Sequence, residues 1–296
     1  MRVEWGEGGG GRDCGRRAFL CGAVSRIVDR DVVDGAAVVH AGCVGVPAAW
    51  GLAEKNGNGG GAGRKAVLWG YEAAAGVGMA VGPAHYRIFH NTATCGPFGS
   101  AMAAASLLGL SRMRTVDALG NAGTQAAGLW QFLQTGAMSK HLHAGRAAEA
   151  GVVAGELAAL GFSGAPEILE GEKGFFAGLA PEGSPSMVLA EPDVPWQLHL
   201  TSIKPWPSCR HTHPAIDAAQ EIGAGLQLRG ASAADIEAVE ISAYQAALNL
   251  CDRAEPESVY EAKFSLQHTV AAALLGLHLD FSAFDDEARE ETAPLR

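Results

Sequence analysis

Lysine and histidine crowd into one stretch of this chain, Gly136-Ala137-Met138-Ser139-Lys140-His141-Leu142-His143-Ala144-Gly145, with Arg146 directly after it. The residues that follow are Ala-rich and nearly uncharged, which predicts a helix over 142–160 with Lys140 at its mouth. A lysine held out of water at the positive end of a helix dipole loses its preference for the charged form on both counts. Such a group can take a proton from carbon near neutral pH. The plainer alternative is a surface lysine beside a helix cap.

Three further groups have types and spacing suited to chemistry. Asp29-Arg30-Asp31, with Asp34 close behind, precedes His40. Asp29 or Asp31 can orient that histidine or share its proton, unless the run is simply a solvated acidic turn. His85-Tyr86 and His90-Asn91-Thr92-Ala93-Thr94-Cys95-Gly96-Pro97-Phe98-Gly99 form a polar, Gly-containing approach to a predicted helix start at Phe98. Such an approach exposes backbone N–H groups to an anion, or is an ordinary capped loop. The last group is Lys204-Pro205-Trp206-Pro207-Ser208-Cys209-Arg210-His211-Thr212-His213-Pro214. Its arginine can grip a carboxylate with two parallel hydrogen bonds, and its prolines lower the entropy lost on binding. A rigid connection with solvated charges is the alternative. His211 and His213 lack an acidic or Cys partner at metal-ligand spacing, so no metal is expected.

These groups must be positioned by helices. Small-residue and apolar periodicity predicts helices over 17–28, 44–54, 66–81, 98–109, 115–133 and 142–160. In the last of these, Ala144, Ala147, Ala148, Gly151, Val152 and Gly155 make one face suited to close helix packing. Asn56 to Gly61 reads as a flexible surface turn, because it lacks the Gly-Lys-Ser/Thr ending of a phosphate loop. Pro181, Pro185, Pro192 and Pro195 mark a linker. Beyond it, 197–203 and 236–244 alternate like strands. Helices are predicted over 214–226 and 262–277, the second opened by a Ser258/Glu261 capping box. The expected class is mainly α, a large all-helical domain (17–190) followed by a smaller α+β lid domain (195–296). Residues 1–16 read as a disordered or atypical start.

Composition narrows the function classes. Hydrophobic residues make up 48% and charged residues 18% of 296 residues, so a sizeable core is within reach. The formal net charge of -10 argues against nucleic acid, whose phosphates need a basic surface, but leaves room for a small anion in a local basic pocket. Six scattered cysteines without a CxxC read as reduced thiols in a cytoplasmic protein. Gly15-Arg16-Arg17-Ala18-Phe19-Leu20 has the look of a twin-arginine export core, yet the apolar run behind it is too short. The apolar stretch over 66–83 is interrupted by Glu72, so no membrane span is expected.

Taken together, the 90–99, 136–148 and 204–214 stretches, with Gly161-Phe162, Leu169-Glu170-Gly171 and Ala262-Lys263-Phe264-Ser265-Leu266, resemble the MmgE/PrpD family. The similarity runs over roughly residues 17–285, with several separate motifs in the family's order. The resemblance implies a large helical domain and an α+β lid, a homodimer, a site between the two domains, and neither metal nor cofactor. It implies proton transfer at a carbon next to a carboxylate, whose charge fixed cations must offset. The activity implied is that of a cofactor-free lyase, 2-methylcitrate dehydratase-like, with epimerase, decarboxylase or a non-catalytic relative as alternatives. By the same resemblance, Lys140 and His40 move protons, with Asp29, Asp31 and His211 beside them. Lys204, Arg210, Cys209, His213, His90, Arg146 and His143 hold a small di- or tricarboxylate. The family's loop histidine falls on Cys209 in one register, with His211 and His213 in reach. Its acidic motif, Asp-x-Asp-Asp-Thr, meets Asp29-Arg30-Asp31-Val32-Val33, losing the third carboxylate and the threonine. Against the family's usual length, helices at both ends are expected to be missing.

Overall fold

The computed structural model describes residues 13–27, 29–189 and 194–296. The chain is mainly helical, and its described strands form one two-stranded sheet. It divides into two compact units. The first holds residues 13–27, 31–132, 138–189 and 194–203, and the second 29–30, 133–137 and 204–296.

In the first unit, α1 (Cys14–Ser25) opens with the Asp13 side chain accepting from the Arg16 N–H. The helix thus begins inside the stretch read as atypical, and it covers the twin-arginine look-alike. Residues 1–12 of that stretch lie outside the described residues. Strand β1 (Val32–Asp34) pairs antiparallel with β2 (Thr201–Ile203). Between them in sequence come α2 (Gly42–Asn56), α3 (Gly60–Tyr86), α4 (Asn91–Leu107), α5 (Arg112–Gly123), α6 (Ser139–Ala159), the short α7 (Phe175–Leu179) and α8 (Gln197–Leu200). The predicted strand over 197–203 therefore forms only in its second half. Helix α4 starts seven residues before Phe98. Its early polar side chains find partners outside the helix: the Asn91 amide donates to the Ala37 carbonyl, and Thr94 Oγ1 meets His85 Nε2 at 2.8 Å.

Missing side chains let these helices touch. A Cβ on Gly151 of α6 would overlap Ser100 Oγ and the Ala101 N–H of α4. On Gly22 of α1 it would stand 3.0 Å from the Ala144 and Cys43 carbonyl oxygens, and on Gly145 of α6 it would meet the Phe19 carbonyl at 2.6 Å. Alanine and valine fill the remaining space, with Ala18, Val44, Ala48, Leu52, Ala104, Ala148 and Val152 buried together. Burial of this apolar surface is the main stabilising term.

In the second unit, α9 (His213–Leu228) packs on α12 (Leu266–Leu274), burying Ile216, Ala219, Val270, Ala273 and Phe284. α10 (Gln245–Cys251), α11 (Val259–Ala262) and α13 (Asp286–Thr292) complete it. Ser258 Oγ accepts from the Glu261 N–H at 3.2 Å, but the predicted helix over 262–277 is split. Ser265 Oγ accepts from the His268 N–H at 2.9 Å and starts α12 afresh. The predicted strand over 236–244 does not form: no neighbouring edge among the described residues pairs with it. Ile236 and Ile241 instead pack partly buried against the apolar cluster. Among the described residues no helix is long and apolar enough to cross a membrane.

Candidate active site

A tight loop presents His40. Asp34 Oδ1 accepts from the Ala36 and Ala37 N–H groups at 3.0 and 2.8 Å, and the Asp34 N–H donates to the Val39 carbonyl. The turn drives Val38 to a φ of 52°, a left-handed conformation that is costly for a β-branched residue. The start of α4 anchors the loop from below, through Asn91 and through Thr92 Oγ1, which accepts from the His40 N–H at 3.1 Å.

His40 Nδ1 then lies 2.9 Å from Asp31 Oδ2, 3.0 Å from the Val32 carbonyl oxygen and 3.0 Å from Arg26 Nη1. Arg26 is wholly buried and pairs with Asp31. The same ring nitrogen thus faces two acceptors and one guanidinium donor, and these contacts hold the imidazole in place. The His90 ring centroid is 6.3 Å from that of His40. His90 Nδ1 meets His143 Nδ1 at 3.2 Å, and Trp130 covers the His90 ring at 4.6 Å. Lys140, 3% exposed, stands on the first turn of α6 one turn before His143. Burial, and then the charges of its neighbours His143, Arg26 and Lys140, hold His90 well below the usual histidine range. Burial and Lys140 bring His143 down to about 4. Both rings are therefore neutral at pH 7.

Arg146 does not belong to this group. It is exposed and pairs with Glu149 three residues on, because that spacing puts both on the outer face of α6. The two carboxylates of the acidic motif also part company. Asp31 serves His40, whereas Asp29 belongs to the second unit and serves Lys204.

In that second unit, Lys204 is 1% exposed and donates to the Asp29 carbonyl (3.0 Å), Asp29 Oδ1 (3.0 Å) and the Ser208 carbonyl (3.1 Å). An ammonium has three donors, so Lys204 acts as a clamp on its own loop. The Cys209 N–H donates to the Lys263 carbonyl at 2.8 Å, and Cys209 is buried. His211 Nδ1 meets Tyr244 Oη at 2.6 Å. His213, the first residue of α9, is buried, and burial, with Lys204 and Arg210 adding to it, takes it down to about 4. Arg210 is half-buried. Lys263 lies over Phe281 and Phe284, and burial lowers it from the ordinary lysine value.

The first unit also holds an apolar cavity of about 420 Å³ whose walls include Trp69, Phe98, Met102, Leu119 and Trp196. The one charged side chain among its described walls is Glu72, which suits an anionic substrate poorly. Among the described residues, no three His, Cys, Asp or Glu side chains gather closely enough to hold a metal ion.

The order of these groups along the chain matches a known pattern. The MmgE/PrpD N-terminal domain model matches residues 5–187, and the MmgE/PrpD C-terminal domain model matches residues 206–296. The chain belongs to the MmgE/PrpD family. Among its family relatives, mouse cis-aconitate decarboxylase is 31% identical over 210 residues, covering 67% of this chain and 41% of the relative. The human cis-aconitate decarboxylase is 31% identical over 192 residues, 63% and 39% of the two chains. That of Aspergillus terreus is 29% identical over 213 residues, 67% and 43%. The chain thus spans about two fifths of the length of the curated relatives it matches.

Two members of the first-unit cluster were not legible in sequence. Arg26 closes α1 without any spacing signal, and only its position five residues before Asp31 hints at a partner. Trp130 lies in a short 3-10 turn inside a stretch predicted as helix.

Proposed function

We propose that the first unit carries the proton-transfer groups of a cofactor-free lyase acting on a small di- or tricarboxylic acid. The observation that supports this is the 2.9 Å contact of Asp31 Oδ2 with His40 Nδ1 inside a cluster holding His90, His143 and Lys140. A carboxylate that holds the Nδ1 proton fixes the imidazole tautomer and stabilises the cation formed when Nε2 takes a proton. Lys140 is the second proton-handling group. Fixed positive charge in a water-poor site offsets the charge that develops on substrate beside its carboxylates.

The relatives' named reaction sets the first substrate to test. When a carboxylate leaves as CO₂, its electron pair stays on carbon, and a proton delivered there completes the reaction. Dehydration of the 2-methylcitrate dehydratase type uses the same groups in reverse order: a base removes the proton next to a carboxylate, and hydroxide leaves with a proton from an acid. Epimerisation needs the removed proton returned on the other face. The proposal includes a cytoplasmic homodimer, for which sedimentation gives the check on assembly.

The test is a substrate screen on purified full chain with cis-aconitate, 2-methylcitrate, citrate and aspartate-like acids, read by CO₂ release and product analysis. Turnover of one acid that is lost in His40→Gln is the expected result. No turnover of any of them by folded protein rejects the lyase reading. It would favour a non-catalytic binding relative, for which Val32 and Val33 speak: they stand where the family motif has a carboxylate and a threonine.

A further inference from the structure

The apolar cavity of the first unit is shaped by close backbone approach. Helices α3, α4 and α5 give it Trp69, Val77, Phe98, Met102 and Leu119. The chain crosses back over α3 at Gly76, where a Cβ would stand 2.4 Å from the Val188 carbonyl oxygen. It crosses again at Trp69, whose ring meets that of Trp196 edge-on at 5.4 Å between centroids. The space left, about 420 Å³, is of the size that small-molecule sites have. None of the groups assigned to proton transfer lines it.

The polar groups of its described walls sit together and share one character. Glu72 accepts from the Gln197 N–H at 2.6 Å, which holds these two wall residues side by side. Gln197 is 4% exposed, and its Oε1 is buried without a hydrogen-bond partner. An orphaned acceptor is costly unless something supplies a donor. Burial raises the Glu72 carboxyl above its usual range against the Gln197 and Leu198 N–H groups, and Asp34 adds to the rise. His199 acts the other way, and no lysine or arginine charge takes part. The polar corner therefore offers negative charge and an unused acceptor. It repels an acid and suits a cation, and the indole rings of Trp69 and Trp196 favour an ammonium for their own reasons.

We propose that this cavity binds a small amine with an apolar body, its ammonium donating to Glu72 and Gln197 and its apolar part lying among Trp69, Phe98 and Met102. An ammonium has three donors, enough for both side chains. The site is separate from the proton-transfer cluster, so the proposal stands whether or not the chain is a lyase.

The test is isothermal titration calorimetry on the full chain at pH 7 with three probes of similar shape: phenethylamine, phenethyl alcohol and phenylpropionate. The amine should bind about tenfold more tightly than the alcohol, the difference between a charge-assisted and a neutral hydrogen bond. The acid should not bind measurably. Glu72→Gln keeps an acceptor for the Gln197 N–H but removes the charge, and amine and alcohol should then bind alike. Met102→Trp fills the cavity and should abolish binding of both. Failure of the folded native protein to bind the amine overturns the proposal, as does equal affinity for the acid. A preference for the amine that survives Glu72→Gln puts the amine elsewhere on this acidic protein and overturns it too. If the Trp variant does not fold, the Glu72→Gln comparison decides alone.

Discussion

Asp31 and His40 meet through Oδ2 and Nδ1 at 2.9 Å, with the wholly buried Arg26 touching both. The arginine's charge offsets that of the carboxylate, and the contacts among the three groups hold the imidazole in place. Asp31→Asn retains the shape of the contact but turns a charged acceptor into a neutral amide. A loss of about two to four decades in kcat is expected, with KM nearly constant. Steady-state kinetics on the accepted acid measure it. A variant within threefold of the native rate would remove Asp31 from the mechanism.

Lys140 is assigned a proton of its own, so its ammonium should be worth a comparable amount. Lys140→Ala is expected to lower turnover by about two to four decades, the range usual for a general acid or base. Lys140→Arg, which keeps charge but cannot give up its proton, should stay low. Full activity in the arginine variant would reduce Lys140 to a fixed charge.

Lys204 invites the opposite outcome. With its donors committed to Asp29 and Ser208, it should matter to folding before it matters to substrate. Removing one partner of a buried ion pair leaves the other uncompensated, at a cost of about 3–5 kcal/mol. Urea denaturation of Lys204→Ala should show that loss. A variant of native stability that has lost only substrate affinity would return Lys204 to the role of carboxylate anchor.

The buried histidines give stability a definite pH dependence. Histidine in an unfolded chain titrates near about 6.5, whereas His143 and His213 are brought down to about 4. Between these values the unfolded chain binds more protons than the folded one. Stability is therefore retained above about 6.5 and declines as pH falls toward about 4. Each group accounts for at most on the order of 3 kcal/mol. Denaturation midpoints at a series of pH values should fall through this window, and His213→Gln should make the decline shallower. A midpoint independent of pH between these limits would contradict the burial of both rings.

Gly128 has a φ of 150°, a region that side-chain-bearing residues avoid, and a Cβ there would overlap the Ala93 methyl and stand 3.4 Å from His143 Nδ1. Gly128→Ala should cost about 2–4 kcal/mol, from strain and overpacking together. Adding Ala93→Gly relieves the overlap but not the strain, so thermal melts of the double variant should recover part of the loss. Complete recovery would show that backbone conformation is not the constraint.

How much of this could be read from residue order differs from group to group. His40, Asp31 and Lys140 stand out because motif spacing is local and survives as sequence. The helical class and most helix cores follow from periodicity for the same reason. The parting of Asp29 from Asp31 was not legible, since two carboxylates two residues apart look alike until tertiary partners choose between them. The segment over 236–244 has strand periodicity, but a strand needs an edge to pair with, and no local pattern supplies one. Helix α4 begins at Asn91, whose amide bonds to Ala37, 54 residues away, while the nearer His85 meets Thr94. Arg26 escaped notice because burying a guanidinium is explained only by what surrounds it.

The seam between α1 and α6 sets a gauge. α1 leads to Arg26 and α6 carries Lys140 and His143, and the gap between the two helices is as narrow as Gly22 and Gly145 allow. A methyl group at either position would wedge the helices apart and carry the guanidinium away from the lysine. Basicity at this cluster can therefore be retuned without altering any ionisable residue, by changing how closely two backbones lie.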